Sequence, residues 1–236
     1  MNKTMKCLVA GGVLALAVAA NAVPLGDPGF EASGPMTPFD FAVFSNNPQG
    51  TWLNAGFGPE YFLDPNATDQ VLFGAQSLKL AATQTTDDPA KWEMAQAKQI
   101  FAVNPGDVIN GSAWLKWENL GGGIQAQIEC KWLSATGAEL GSGIGTTPVT
   151  SGSGNWQLQD LSSWSLAQRT APVGAAFVDY RLFLLSPGSA DVATGTVWWD
   201  NASFTVAQIP EPSTFGLLGL GLVGTVGWFG LRRRNA

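Results

Sequence analysis

Carboxylates are the groups in this sequence that could do acid and base chemistry, because its 236 residues include no histidine. That absence removes Ser-His-Asp and Cys-His catalysis, imidazole-bound zinc and the usual general base near neutral pH. Glu129 and Asp179 lie on the polar faces of predicted strands. A glycoside hydrolase needs two carboxyl groups about 5 to 9.5 Å apart, one with a raised pKa. No alternating acidic motif accompanies these two acids, so the sequence favours a non-catalytic protein, and a carboxylate-based hydrolase is the lesser alternative.

Aromatic and planar polar side chains form a second candidate site, of the kind that binds sugars. A flat ring covers the apolar side of a pyranose, while amide, carboxylate and guanidinium groups bind its hydroxyls. The residues of these types on polar strand faces are Trp114, Gln125, Gln127, Glu129, Asp179 and Arg181. These residues could meet on one polar sheet face and bind a sugar there, although the sequence favours the alternative. The alternative is that they form the solvated face of an antiparallel sheet and bind nothing.

Period-two alternation identifies the strands that must carry these residues. Apolar and polar residues alternate from Ile124 to Trp132, and again from Phe177 to Leu185. Further strands are predicted over residues 39–44, 76–82, 92–103, 108–117, 156–166 and 196–206. The Gly/Ser-rich run over residues 141–154 is predicted to be a loop. Eight strands without a helix predict an all-β fold, a two-sheet antiparallel β-sandwich of jelly-roll type.

The composition limits how such a body is stabilised and what it binds. Its 10 Trp and 13 Phe supply a large core, and we expect Trp117, Trp132, Trp198 and Trp199 to be buried in it. Of the two cysteines only Cys130 lies in the body, so no intrachain disulfide forms there. The 18 acidic residues exceed the 12 basic ones, which argues against nucleic acid as a partner.

The N-terminus has the features of an export signal. Lys3 and Lys6 precede an apolar stretch over residues 7–20, and Ala20-Asn21-Ala22 supplies the small residues that a signal peptidase needs. The apolar stretch is shorter than the twenty or so residues of a bilayer span, which disfavours the alternative of a permanent signal anchor. We therefore predict a signal peptide over residues 1–22, cleaved after Ala22.

The C-terminus combines three features in a fixed order. Pro210-Glu211-Pro212 is followed by nineteen uncharged residues from Ser213 to Leu231, and then by Arg232, Arg233 and Arg234. Nineteen helical residues span about 28 Å, enough for a hydrocarbon core. The arginines hold the C-terminus in the cytoplasm, so the body lies outside.

This tripartite tail resembles the PEP-CTERM sorting signal. The resemblance implies that an exosortase, a membrane-embedded cysteine protease, recognises the motif at residues 210–212 and removes the tail. The protein would then be anchored only transiently in the inner membrane before it reaches the cell surface or extracellular matrix. A plain C-terminal anchor is the alternative, but it would not require Pro-Glu-Pro before the span.

The body resembles carbohydrate-binding modules with a galactose-binding-like jelly roll. The matching segments are DPGFE at 27–31, QSLKL at 76–80, FAVNPGD at 101–107 and GTVWWDNASF at 195–204. The resemblance implies a structural calcium that ties the first strand to the last through Glu31 and Asp200. Oxygen-only coordination suits this hard cation, although no dense Asp-x-Asp-x-Asp loop is present.

The sequence thus predicts three segments: a signal peptide at 1–22, a β-sandwich ectodomain at 23–207 and a sorting tail at 208–236 with a transmembrane helix at 213–231. We expect a non-catalytic, exported envelope or matrix protein whose ectodomain contacts extracellular polysaccharide. A purely structural matrix protein is the alternative. The expected partners are signal peptidase and exosortase during export, the membrane before processing, and the polysaccharide afterwards.

Overall fold

Eleven β-strands and one short 3-10 helix make up the described part of the chain. The computed structural model describes residues 25–31, 37–38, 52–54, 61–83, 92–187 and 192–207, which all belong to one unit spanning residues 21–209. The strands are β1 (Thr37–Pro38), β2 (Leu53–Asn54), β3 (Tyr61–Ala67), β4 (Ser77–Thr83), β5 (Trp92–Ala102), β6 (Val108–Gly121), β7 (Gln125–Leu133), β8 (Ile144–Gly145), β9 (Gly152–Asp160), β10 (Phe177–Pro187) and β11 (Thr194–Ala207). The 3-10 helix is Leu161–Ser163.

The strands form two sheets that pack face to face. Sheet A has the order β1-β2-β5-β10-β7-β8, and sheet B has the order β3-β4-β11-β6-β9. Every pairing is antiparallel except the two-residue parallel contact of β1 with β2. The all-β fold with two antiparallel sheets is therefore confirmed.

The core lies between the sheets and is built from the inward residues of each alternating strand. Ile128 and Leu182 from sheet A and Leu80 and Val197 from sheet B are completely buried. Aromatic rings join the two layers, because Phe101 on β5 stacks on Phe204 of β11 with 4.6 Å between ring centroids. Each fully buried large apolar side chain stabilises such a core by about 1.5 to 3 kcal/mol.

One buried hydroxyl also links the layers. The Tyr180 hydroxyl on β10 donates a hydrogen bond of 2.9 Å to the carbonyl of Ser112 on β6. A buried tyrosine needs such a partner because its polar tip leaves water on folding.

The connection between β6 and β7 changes sheet. Gly122 and Gly123 adopt left-handed φ angles of 67° and 74°, which glycine accepts without steric cost. A Cβ at Gly122 would lie 2.0 Å from the carbonyl oxygen of Val192, so a side chain cannot be accommodated there. Although the turn is as short as that of a hairpin, it joins β6 of sheet B to β7 of sheet A.

Several predicted boundaries need correction. The strand predicted over residues 156–166 begins earlier, at Gly152, and ends at Asp160, where the 3-10 helix starts. The run predicted as a loop over residues 141–154 contains β8 and the first residues of β9. Strand β3 was not predicted, and the strand predicted over residues 39–44 lies outside the described residues.

Candidate functional site

Five of the six predicted sugar-binding residues come together on the outer face of sheet A. Strand β10 lies between β5 and β7, and Arg181 stands opposite Lys98 on one side and Glu129 on the other. The next rows on the same face pair Phe183 with Gln127 and Leu185 with Gln125. Asp179 lies on β10 two residues before Arg181. We call the surface formed by Lys98, Gln125, Gln127, Glu129, Asp179 and Arg181 the sheet-A face.

Arg181 is at the centre of an ion-pair network on this face. Its Nη2 lies 2.8 Å from Oδ2 of Asp179, and its Nη1 lies 3.3 Å from Oε2 of Glu129. Lys98 Nζ contacts the same Asp179 oxygen at 3.2 Å. Glu139, from the segment between β7 and β8, adds a contact of 3.4 Å to Arg181 and one of 3.2 Å to Lys131.

The network is more buried than the solvated face that the sequence offered as the alternative. Asp179 is 1% exposed and Lys98 is 5% exposed, although both point away from the core. Burial lowers the pKa of the Lys98 ammonium, and the charge of Asp179 opposes that change. Burial likewise raises the pKa of Glu129, against the neighbouring charge of Arg181. At Asp179 and Lys98 the outer face of sheet A is therefore buried and not solvated.

The two glutamines differ from the charged residues because no described residue forms a hydrogen bond with their amides. Gln125 and Gln127 are half-buried on β7, and neither side chain forms a hydrogen bond within the described ranges. Each amide offers one acceptor and two donor hydrogens in one plane. The pair thus supplies ready hydrogen-bonding groups beside the ion-pair network.

Three residues on the outer face of sheet A were not among the predicted site residues. Gln96, Lys98 and Phe183 all lie on the outer face and are 4–5% exposed. A signal was present, because Gln96 and Lys98 alternate with the buried residues Ala95 and Ala97 along β5. Only the pairing of β5 with β10 shows that they join the same face.

Trp114 lies elsewhere, and the prediction that all six residues meet on one face is wrong for it. It is on β6 in sheet B, where its cross-strand neighbours are Asp200 and Leu158. Phe73 approaches it edge-on, with ring centroids 6.4 Å apart and planes at 65°. The connection after β6 crosses to the other sheet. Trp114 therefore lies on the outer face of sheet B, and Gln125 lies on the outer face of sheet A.

The four tryptophans expected in the core are all buried, but one of them is not in the core. Trp117, Trp132 and Trp199 belong to the central cluster. Trp198 is 3% exposed on the outer face of sheet B, where Lys79 and Lys116 cover its ring at 5.3 and 5.7 Å. Cation–π contact and the lysine stems bury this ring without a partner sheet.

Glu31 and Asp200, the two predicted calcium ligands, accept hydrogen bonds from the same loop. Glu31 Oε1 accepts hydrogen bonds from the N–H groups of Ala75 and Gln76 at 2.8 and 3.2 Å. Asp200 Oδ2 accepts from Leu72 and Phe73 at 2.9 and 2.8 Å. Two carboxylates thus share the loop over residues 72–76.

Burial and backbone donors, rather than a described basic side chain, set the electrostatic environment of Asp200. Burial raises the pKa of Asp200 against the opposing backbone donors, and the charge of Glu31 raises it further. Neither carboxylate forms a salt bridge with a described lysine or arginine. No group of three His, Cys, Asp or Glu among the described residues is arranged to hold a metal ion, so a cation here would also need backbone carbonyls.

Cys130 lies on the inward face of β7. It is a free thiol, 1% exposed, and burial raises its pKa well above the ordinary value. The thiol therefore has little thiolate character, and the structure gives it a packing role.

The fold and its surfaces define a β-sandwich protein. Comparison with known families identifies the tail that follows the β-sandwich. Residues 208–234 match the PEP-CTERM protein-sorting motif, which confirms the predicted sorting signal. Its residues Pro210, Glu211, Pro212, Arg232, Arg233 and Arg234 lie outside the described ranges, as do the predicted signal peptide and span. Within those ranges no helix has the length and apolarity to cross a membrane.

Solved structures similar to this chain include carbohydrate-binding β-sandwich domains. A xylan-binding domain of carbohydrate-binding module family 22 is 18% identical, covers 81% of this chain and 98% of its own, and has a TM-score of 0.43. The C-terminal family 22 module of Clostridium thermocellum Xyn10B is 18% identical over 78% of this chain and 93% of that chain, with a TM-score of 0.42.

An enzyme domain is also similar to this chain. The enzymatically active domain of bacteriophage CBA120 tailspike protein 4 is 14% identical over 66% of this chain, with a TM-score of 0.44. The match covers 19% of the tailspike chain, so this chain spans about a fifth of that protein. A comparison with curated proteins gives no match.

Proposed function

We propose that this chain is a non-catalytic, exported protein of the cell envelope or extracellular matrix that binds extracellular polysaccharide through the sheet-A face. In this proposal signal peptidase removes residues 1–22, and the span over residues 213–231 holds the chain in the inner membrane until an exosortase removes it. The PEP-CTERM motif at residues 208–234 supports this route. The body is a β-sandwich that we assign to the jelly-roll type.

The observation that carries the binding proposal is the pair of free amides on β7. Gln125 and Gln127 are half-buried, form no side-chain hydrogen bond within the described structure, and lie beside the ion-pair network. A sugar hydroxyl both donates and accepts, so a planar amide is a suitable partner for it.

The charges on this face favour a neutral polysaccharide. Lys98, Lys131 and Arg181 are paired with Glu129, Glu139 and Asp179, so cations and anions balance. An anionic polymer would have to displace one of these carboxylates from its partner. A neutral chain binds the free amides without breaking an ion pair.

Binding is favoured over glycoside hydrolysis by the position of Arg181. The raised pKa of Glu129 is a property that a catalytic acid needs. However, one guanidinium contacts both Glu129 and Asp179, at 3.3 and 2.8 Å. Both carboxylates are thus already engaged, whereas a catalytic pair must reach the glycosidic bond and a nucleophilic or water-activating position.

We further propose that the body holds a structural calcium at Glu31 and Asp200. The convergence of both carboxylates on residues 72–76 supports it. Such a cation would tie the segment over residues 25–31 to β11 in a domain whose only cysteine is the free Cys130.

Affinity electrophoresis of the full chain in detergent, with xylan or β-1,4-galactan in the gel, tests the binding proposal. We expect retardation of the wild-type chain, and weaker retardation of Gln127→Ala and of Gln125→Ala. Gln157→Ala is the matched control, because Gln157 is an exposed glutamine on β9 of the other sheet. Equal migration with and without polysaccharide would favour the structural-matrix alternative, and release of reducing ends would establish a hydrolase.

Mass spectrometry of the mature protein tests the sorting route. A C-terminus near Pro212 is expected after exosortase processing. A mature chain that still ends at Ala236 would instead show a permanent anchor.

A further inference from the structure

We infer that Phe73, Trp114 and Leu158 form a second saccharide-binding site on the outer face of sheet B, separate from the sheet-A face. We call these three residues the sheet-B platform. Trp114 and Leu158 are direct cross-strand neighbours on β6 and β9, so their side chains lie on the same side of the sheet. Phe73 reaches Trp114 from the loop between β3 and β4.

The platform leaves large apolar side chains in contact with solvent. Phe73 is 49% exposed and Leu158 is 50% exposed, while Trp114 between them is partly exposed. The Phe73 and Trp114 rings meet at 65°, which gives the surface a corner with two aromatic walls. A pyranose ring stacks its apolar C–H face on such a ring and leaves its hydroxyls free.

The aromatic corner is held in place before any ligand arrives. The N–H of Phe73 donates a hydrogen bond of 2.8 Å to Asp200 Oδ2, and the N–H of Leu72 donates to the same oxygen. Asp200 is also the cross-strand neighbour of Trp114 on β11. The carboxylate therefore sets the position of the Phe73 backbone beside the Trp114 ring.

Polar groups beside the platform form closed pairs, which favours a neutral ligand. Lys79 pairs with Asp69 at 2.5 Å, and Lys116 pairs with Glu118 at 3.3 Å. Lys116 Nζ also donates to the Gln70 amide oxygen at 2.5 Å. No unpaired cation of the described residues is left here to attract a phosphate or another anionic group.

The size of the platform favours a sugar over a protein partner. A complete aromatic side chain contributes about 150 to 250 Å² of surface. Three partly exposed side chains therefore offer at most a few hundred Å², well below the roughly 800 Å² that each partner buries in a stable protein complex. The area is suited to one or two sugar rings.

The two sites cannot be parts of one site. The packed sheets of a sandwich are about 10 Å apart, and the outer faces point in opposite directions. A body that has both sites holds two polysaccharide strands, one on each side. Binding on both sides depends on the proposed function of the sheet-A face. Binding at the sheet-B platform alone does not depend on it.

Affinity electrophoresis of the full chain in xylan or β-1,4-galactan separates the two sites. In a Gln125→Ala/Gln127→Ala background, residual retardation is expected to weaken about tenfold when Trp114→Ala or Phe73→Ala is added. Phe73→Ala removes only a half-exposed ring and keeps the backbone hydrogen bond to Asp200, so it guards against misfolding of the Trp114 variant. Phe62→Ala is the matched control, because Phe62 is 54% exposed on β3, at the opposite edge of sheet B from β9.

The outcomes distinguish failure of this inference from failure of the proposed function. Loss of all retardation in the double-glutamine background alone would overturn the sheet-B platform and leave the sheet-A face in place. Unchanged retardation of that background, with loss on Trp114→Ala, would support the platform and reject the sheet-A face. No retardation of the wild-type chain by either polysaccharide would overturn both.

Discussion

Arg181 donates two hydrogen bonds to one oxygen of Asp179, from Nε at 3.1 Å and from Nη2 at 2.8 Å. The two residues are two positions apart on β10 and therefore point to the same side of sheet A. The other carboxylate oxygen, Oδ1 of Asp179, is buried and accepts no hydrogen bond from a described group. This pair fixes the charge distribution of the sheet-A face, and its burial makes it costly to break.

Asp179→Ala is expected to lower the free energy of unfolding by about 3 to 5 kcal/mol, because it removes one partner of a buried ion pair. Lys98 and Arg181 would keep their charges on a face where Asp179 is 1% exposed. Urea denaturation followed by fluorescence gives the value. Glu118→Ala is the control, since Glu118 pairs with Lys116 at a similar 3.3 Å but its side chain is 42% exposed, and we expect it to cost less than about 1 kcal/mol. Equal losses in the two variants would contradict the buried role of Asp179.

Gly154→Ala is expected to destabilise the fold by about 1 to 3 kcal/mol through overpacking. A Cβ at Gly154 would lie 2.2 Å from the ring of Trp117, which is 8% exposed and has little room to move. Gly121→Ala is the matched control in sheet B, because its Cβ would meet only Thr194 Oγ1 at an ordinary 3.5 Å. Thermal melts of the two variants should differ clearly, and an unchanged melting temperature for Gly154→Ala would contradict tight packing of residue 154 against Trp117.

Cys130 is expected to resist alkylation in the native protein at pH 8. Burial both blocks access and raises the pKa of its thiol, so little thiolate is available to react. Iodoacetamide labelling followed by peptide mass spectrometry should modify Cys130 only after denaturation. Thr147→Cys places a thiol at an exposed position and should be labelled rapidly in the same folded sample. Native labelling of Cys130 at a comparable rate would show that β7 opens readily.

Calcium is expected to raise the melting temperature and a chelator to lower it. The increase should disappear in Asp200→Asn and persist in Glu118→Gln, which changes an exposed acid away from the loop over residues 72–76. Because burial raises the folded-state pKa of Asp200, protons compete with the metal there. The stabilisation by calcium should therefore be complete above that pKa and diminish as the pH falls through it. Identical melting curves with calcium and with chelator would reject the site.

Strand alternation alone determined much of this protein. It assigned Ile128, Cys130 and Trp132 to the core and Gln127 and Glu129 to an outer face, because side chains alternate along any strand whatever its neighbours are. The sorting tail could also be identified from the sequence, since its motif is one contiguous segment. The absence of histidine excluded whole classes of catalysis. This conclusion needs only the composition, which is independent of how the chain folds.

Only the tertiary structure decided which strands share a sheet. Trp114 and Gln125 are on consecutive strands joined by a turn as short as that of a hairpin, yet the two strands belong to different sheets. The sequence could not show this, because alternation gives the face on which a residue lies but not the strands that pair with its own. For the same reason the sequence did not show that Lys98 from β5 and Glu139 from a loop complete the network around Arg181. Those contacts join residues 81 and 42 positions apart, and the packing of the whole chain brings them together.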